Sequence, residues 1–116
     1  MNKYGNKKTT CKQNHLHDSK KESLYCNELE LRKRAGDIID YEVSPIFELQ
    51  PKFTNSEGKK IRAITYTSDF VVYQDGLTEI VDVKSKATKT QLFNVKWKIV
   101  QFLMKEKSGY KFTIHL

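Results

Sequence analysis

Three ionisable side chains lie close together in a β-rich stretch of the sequence and are candidates for one site. Residues 65–84 read TYTSDFVVYQDGLTEIVDVK, two apolar, β-branched runs joined by the glycine-containing segment 74–77. A short glycine-containing segment between two such runs predicts a β-hairpin. With a 74–77 loop, the strands pair in the register that places Asp69 opposite Asp82. Opposed residues share a face, as do residues two apart on one strand, so Lys84 lies on that face too.

Two carboxylates and one ammonium group on one hairpin face suggest a site for a hydrated divalent cation. Facing carboxylates repel each other unless a positive charge lies between them. Mg²⁺ binds through one or two carboxylates and keeps waters that a phosphate can displace. The alternative is a solvated hairpin face with a surface Asp–Lys ion pair. The pairing register and the order Asp82-Val83-Lys84 favour the metal site. The other face of the hairpin is predicted to be apolar, formed by Phe70, Val72, Val81 and Val83.

Four sequence blocks in fixed order resemble a small phage and prophage family within the PD-(D/E)XK nuclease superfamily. They are SKKE at 19–22, FELQPKF at 47–53, TSDF at 67–70 and VDVK at 81–84. The D-x-K element alone is a weak motif, whereas the ordered set is fairly specific. The resembled family is a domain of unknown function related to Holliday-junction resolvases. The similarity covers most of the chain.

The resemblance implies a metal-dependent DNA endonuclease with a restriction-endonuclease-like core. By this comparison Asp69, Asp82 and the Val83 carbonyl bind Mg²⁺ or Mn²⁺, and Glu22 joins them directly or through water. Lys84 orients the attacking water in the hydrolysis of a DNA phosphodiester. Glu22 also has a purely structural interpretation, because Ser19-x-x-Glu22 is a helix capping box. The two roles do not exclude each other.

Basic and amide side chains after the hairpin are candidates for contact with the DNA backbone. Lys86 and Lys89 fall in a short basic loop, and Gln91 and Lys96 in a predicted helix. For the helix residues, a solvated helix face is the alternative interpretation. Lys60 and Arg62 share one face of a predicted strand and are interpreted as ordinary strand surface, with phosphate contact as the alternative.

Composition indicates one globular domain with an uneven charge distribution. The chain has 116 residues and a formal net charge of +7. Residues 84–116 contain eight lysines and one acid, whereas residues 41–83 contain seven acids and four bases. This distribution suits a protein that binds a polyanion around a metal site. Residues 1–18 are expected to form a flexible basic arm, and residues 19–116 a single domain.

The order of the predicted elements indicates an α+β (mixed α/β) fold, a mostly antiparallel sheet flanked by helices. A helix is predicted from Ser19 to Ala35, strands over 38–43 and 46–53, and a turn at 55–58. A central strand enters the hairpin, and a second helix follows Thr90. The apolar stripe of that helix, which is expected to face the core, comprises Leu92, Val95, Ile99, Phe102 and Leu103. The last strand, 110–115, is expected to run parallel to residues 78–84.

Two other functional classes remain open at this stage. One is a non-catalytic nucleic-acid-binding phage protein with a degenerate nuclease fold. The other is a zinc-stabilised regulatory protein that uses Cys11, His15, His17 and Cys26, although their spacing matches no standard zinc finger. Without a membrane span or signal peptide, the expected location is the cytoplasm of a bacterial host, where both thiols are reduced. Junction resolution needs two cuts and therefore implies a homodimer acting on branched or duplex DNA.

Overall fold

The protein has an α+β fold in which two helices flank a mostly antiparallel sheet. The computed structural model describes residues 9–11, 16–17, 19–84 and 90–116. The elements are β1 (Thr9–Thr10), β2 (Leu16–His17), α1 (Lys20–Ala35), β3 (Asp40–Val43), β4 (Ile46–Gln50), β5 (Phe53–Thr54), β6 (Lys60–Ile61), β7 (Ile64–Thr67), β8 (Phe70–Gln74), β9 (Leu77–Val83), α2 (Gln91–Leu103) and β10 (Tyr110–His115).

A four-stranded sheet in the order β10-β9-β8-β3 forms the centre of the fold. The β3–β8 and β8–β9 pairs are antiparallel, and β10 runs parallel to β9. The predicted parallel pairing of the last strand is therefore confirmed. Because α2 lies between β9 and β10 in the chain, it provides the crossover that parallel neighbours require.

The β8–β9 hairpin has the register expected from the sequence. Val71 pairs with Ile80 and Tyr73 with Thr78. The predicted four-residue loop is wrong, because Gln74 pairs with Leu77 and leaves only two residues between the strands. The second of these is a glycine with a φ of 71°, a backbone conformation that side chains disfavour. The extra pair closes the hairpin without shifting the register.

Alternation along the hairpin gives each helix its own apolar core. The α1 side contains Phe70, Val72, Val81 and Val83 with Tyr25, Cys26 and Leu29. The α2 side contains Val71, Ile80 and Tyr66 with Phe93, Trp97 and Val100. The predicted apolar hairpin face therefore packs on α1, and the face of Asp82 lies under α2.

Capping at both ends fixes the position of α1 along the chain. The Ser19 hydroxyl accepts a hydrogen bond of 3.2 Å from the Glu22 N–H. At the other end Gly36, with a φ of 83°, donates to the carbonyls of Arg32 and Lys33. The predicted start and stop of this helix are confirmed.

Helix α2 buries a different face from the one expected. Leu92, Val95 and Phe102 are 64%, 49% and 63% exposed, and Leu103 is also exposed. The buried residues are instead Phe93, Trp97 and Val100. Stacked and edge-on aromatic contacts hold this face, since the Trp97 ring lies 5.5 Å from Phe93, 6.0 Å from Tyr66 and 5.8 Å from Phe112. The large aromatic side chains therefore occupy the core, and the aliphatic stripe lies outside.

Residues 46–67 form a long antiparallel hairpin, here called the β-arm. At its base β4 pairs with β7, and Phe47, Leu49 and Tyr66 pack against α2. At its tip β5 pairs with β6. The predicted strand over 46–53 is broken between β4 and β5, where Pro51 cannot donate to a ladder. The predicted turn at 55–58 is confirmed by the Asn55 carbonyl, which accepts from Gly58 N–H at 3.0 Å.

The described parts of the predicted N-terminal arm pack on the domain. Strands β1 and β2 pair antiparallel. Cys11 is buried, and its Sγ lies 3.1 Å from the Sγ of Cys26. Most of residues 1–18 lie outside the described ranges, so the flexible basic arm stays a prediction. No helix within the described ranges is long and apolar enough to cross a membrane.

Candidate active site

Asp82 and Lys84 form an ion pair beneath α2 at the end of β9. Asp82 is only 1% exposed, because β9 lies between β8 and β10 and the helix covers this face. Lys84 Nζ lies 3.1 Å from Asp82 Oδ1. The same ammonium group lies 4.5 Å from the centroid of the Phe93 ring. A cation–π contact from the helix therefore fixes the lysine that pairs with the buried carboxylate.

The second carboxylate oxygen of Asp82 is buried without a hydrogen-bond partner among the described residues. Burial raises the pKa of Asp82 to about 6, although the Lys84 ammonium group acts in the opposite direction. A buried acceptor left unpaired is costly, and an ionised one more so. This open oxygen therefore fits an oxygen-seeking divalent cation, which would supply the missing partner.

Hydrogen bonds to its backbone carbonyl and to its carboxylate hold Asp69 next to the Asp82–Lys84 ion pair. It lies one position beyond the last ladder pair, Phe70 with Val81, in the register that opposes it to Asp82. Its carbonyl accepts from the Ser44 N–H at 3.0 Å, and its Oδ2 accepts from the Val83 N–H at 2.7 Å. The aspartate is thus bonded to the backbone of the residue between Asp82 and Lys84.

Glu22 lies in the first turn of α1, which meets the end of β9. Lys21 Nζ donates to the Lys84 carbonyl at 3.2 Å. However, the Asp, Glu, His and Cys side chains of the described ranges form no group of three or more that could hold a metal ion. The structure therefore does not gather Glu22 with Asp69 and Asp82 as a three-carboxylate cluster. Two carboxylates still fit Mg²⁺, which commonly keeps several waters.

The predicted phosphate contacts are placed only in part. Gln91 is exposed at the first residue of α2, and Lys96 is half-buried one turn after Phe93. Lys96 forms no ion pair with the described residues. Lys86 and Lys89 lie outside the described residues.

Two residues near the site were missed at the level of sequence. The Ser68 hydroxyl is fully buried, and its oxygen lies 2.9 Å from the carbonyl oxygens of both Phe70 and Val81, which share its single proton. This contact joins the strands just before Asp69. Tyr66 is buried, and its hydroxyl has no partner among the described residues. Its ring lies 6.4 Å from that of Phe93, which also contacts Lys84. The sequence signal for both residues was the run TYTS at 65–68, in which alternation places Tyr66 and Ser68 on the same, core-facing side.

The cysteines of the zinc hypothesis lie on the opposite side of the sheet. Cys11 and Cys26 are buried free thiols in the α1 core. Burial raises the pKa of Cys26 to about 12, which disfavours the thiolate that zinc requires. His15 and the side chain of His17 lie outside the described residues, so the four-ligand hypothesis stays a prediction.

Comparison with protein families gives one match, and it spans nearly the whole chain. The family model described as "Protein of unknown function (DUF1064)" matches residues 1–112. The chain belongs to the DUF1064 family. No curated protein and no solved structure matches this DUF1064 chain. The family description names no activity, so a function for the DUF1064 protein has to be argued from its own residues.

Replacing Asp82 by asparagine is expected to stabilise the metal-free protein in a pH-dependent way. The folded-state pKa of Asp82 lies near 6, above the ordinary 3.8. The folded protein therefore binds this proton more tightly than the unfolded chain does. Protonation of Asp82 stabilises the fold fully below about pH 4, and this stabilisation is lost as the pH rises through about 6. Asparagine keeps the shape without the charge. In EDTA, the free energy of unfolding of Asp82→Asn should exceed that of wild type by up to about 3 kcal/mol at about pH 8 and should match it near pH 4. Urea unfolding at both pH values measures this, and an equal difference at both would contradict the account.

Removing the Tyr66 hydroxyl is expected to leave the protein as stable or more stable. The hydroxyl is buried without a described partner. Its loss removes an unpaid desolvation cost of roughly 1 kcal/mol or more. Tyr41→Phe is the matched control, since the Tyr41 hydroxyl donates to Glu30 at 2.9 Å and its removal should destabilise. Thermal unfolding of both variants tests this, and a destabilised Tyr66→Phe variant would show that the hydroxyl has a partner.

Proposed function

We propose that this DUF1064 protein is a Mg²⁺- or Mn²⁺-dependent DNA endonuclease that hydrolyses phosphodiester bonds in branched or duplex DNA. The observation that carries the proposal is the buried Asp82 carboxylate, which has one oxygen paired with Lys84 and the other open. The opposed Asp69 and the D-x-K order add the second carboxylate and the amine that such chemistry uses. The phage-type resemblance supports a role in DNA recombination or processing within a bacterial host.

Each residue of the site has a separate task in this proposal. Asp69 and Asp82 hold the cation with the Val83 carbonyl, and Glu22 acts through water from the start of α1. A bound Mg²⁺ or Mn²⁺ supplies a water of lowered pKa and stabilises charge on the phosphate. Lys84 spends one of its three N–H donors on Asp82 and has others to orient the attacking water. The Phe93 ring beneath this amine keeps it in place.

The β-arm carries a cationic face that fits the DNA backbone. Thr54 pairs with Lys60, so alternation places Lys52 and Arg62 on the same face. The side chains of Lys52, Lys60 and Arg62 are exposed, and none of them forms an ion pair with a described residue. Lys52 and Arg62 lie one position beyond the β5–β6 ladder, where the continued register brings two like charges opposite each other, an arrangement that destabilises pairing. A row of phosphates relieves this repulsion, which supports a nucleic acid as the ligand.

The active-site prediction is that Asp82→Asn or Lys84→Ala reduces DNA cleavage at least a hundredfold while DNA binding survives. Both substitutions remove groups that hold the cation or orient the water, and neither removes a cation of the β-arm. Asp75→Asn is the matched control, an exposed acid in the loop of the same hairpin. Single-turnover cleavage of junction, flap, duplex and single-stranded substrates in Mg²⁺ and Mn²⁺ measures the effect. Full activity of Asp82→Asn would refute the assignment.

The β-arm prediction concerns binding rather than cleavage. Replacing Lys52, Lys60 and Arg62 by glutamine should weaken duplex binding more than tenfold and lower the salt slope by about 2 to 3, because up to three phosphate contacts are lost. The control changes Lys98, Lys107 and Lys111 to glutamine, which removes the same charge from exposed positions outside the β-arm. Anisotropy titrations in EDTA at several salt concentrations compare the two variants. Equal losses would mean that only net charge matters.

A non-catalytic nucleic-acid-binding protein is the second candidate. It is favoured by the absence of a three-ligand metal group among the described acidic, His and Cys side chains. This candidate expects DNA binding that EDTA leaves unchanged and no cleavage in Mn²⁺. If the protein is a junction nuclease, it is expected to form the homodimer that two cuts in one junction require, and sizing chromatography measures this.

A further inference from the structure

The outward side of α2 carries an apolar seam that the fold does not use. It consists of Leu92, Val95, Ile99 and Phe102, which follow one another at spacings of three, four and three residues. This is the a/d spacing of a coiled-coil helix over two heptads. Ile99 is half-buried, and the other three are among the most exposed apolar side chains of the described chain.

The seam and the core-facing side of α2 are separate surfaces. At 100° per residue, Val95 and Phe102 lie on the side of the helix away from Phe93 and Val100, which pack on the sheet. The two core clusters of the described chain therefore contain none of the four seam residues. Large exposed apolar side chains in one continuous patch are uncommon on a monomer and mark sites of interaction.

The charges beside the seam define what can cover it. Lys96 lies along one edge, and Lys98 and Lys105 lie along the other. The Lys105 ammonium group sits 4.0 Å from the centroid of the exposed Phe102 ring. Helix α2 contains no acidic residue at all. With Leu92 and Ile99 at a and Val95 and Phe102 at d, Lys96 falls at an e position and Lys98 at a g position, and Lys105 follows just beyond the end of the helix. Charges at these flanking positions select the partner.

A second copy of this chain is a poor occupant for that reason. Antiparallel pairing of two α2 helices would place lysines against lysines, and parallel pairing would give no ion pair. A helix with carboxylates beside its apolar stripe instead gains both the apolar burial and the ion pairs. DNA cannot cover the seam, because phosphates offer nothing to Leu92 or Val95.

We propose that the outer seam of α2 is the docking site for an acidic amphipathic helix of a partner protein. The partner presents apolar residues at the a and d positions and Glu or Asp at the e and g positions. Docking does not depend on the nuclease activity. It would recruit the protein to the complex that contains the partner, with the core-facing side of α2 left on the sheet.

The test uses two synthetic 21-residue peptides and the full-length protein without metal or DNA. Both peptides have Leu at every a and d position; one has Glu and the other Lys at every e and g position. Like charges keep each peptide from pairing with itself. Anisotropy should show binding of the Glu peptide that is at least tenfold tighter than that of the Lys peptide and that weakens as salt is added.

Variants assign the binding to the seam. Val95→Ser with Phe102→Ser should weaken Glu-peptide binding at least tenfold without a change in melting temperature, because both residues are exposed. Leu24→Ser with Leu31→Ser is the matched control, two exposed leucines on α1, and should have no effect. Lys98→Glu with Lys105→Glu should shift the preference toward the Lys peptide at least tenfold.

Three outcomes overturn the proposal. The first is equal binding of both peptides, and the second is no binding of either. The third is a dimer in sedimentation that Val95→Glu converts to monomer, which would make a second copy the occupant. Loss of DNA cleavage in other experiments does not bear on any of these measurements, so the two proposals fail separately.

Discussion

A buried ion pair at the end of β9 is the interaction on which the candidate site depends. Asp82 and Lys84 lie two residues apart on a strand that is covered on both sides, with α2 above. Burying a carboxylate is costly, and a single ammonium group offsets only part of that cost, as the raised pKa of Asp82 shows. The remaining oxygen has no described partner. This arrangement leaves the second carboxylate oxygen of Asp82, a strong hydrogen-bond acceptor, at a position from which water is largely excluded.

The surrounding structure fixes the site through the backbone rather than through long side chains. Asp69 is bonded to Val83 N–H and Ser44 N–H, and the Ser68 hydroxyl bridges β8 and β9 just before it. The bonds to Val83 N–H and to the Val81 carbonyl depend on the β8–β9 register, and the bond from Ser44 N–H depends on the β3–β8 pairing. A one-residue slip would move Asp82 into the α1 core and bring Val81 under α2. The separate apolar cores on the two faces oppose such a slip.

Local patterns predicted much of this architecture, and their limits have physical causes. The position of the glycine-containing loop at 74–77 predicted the hairpin register, and period-two alternation then decided which residues share a face. The caps at Ser19 and Gly36 predicted the bounds of α1. The buried face of α2 was predicted wrongly because the helix is apolar on both sides, and the contacts of Trp97 with distant aromatic rings decide between them. The open oxygen of Asp82 depends on burial by α2, which no local pattern encodes.

The most direct test of the account is a Mn²⁺ titration of the purified protein by calorimetry, beside Asp82→Asn and the exposed control Asp75→Asn. One Mn²⁺ site per chain is expected, which Asp82→Asn abolishes and Asp75→Asn retains. Binding that is unchanged in Asp82→Asn, or absent from the wild-type protein, would contradict the claim that the buried carboxylate holds a divalent cation.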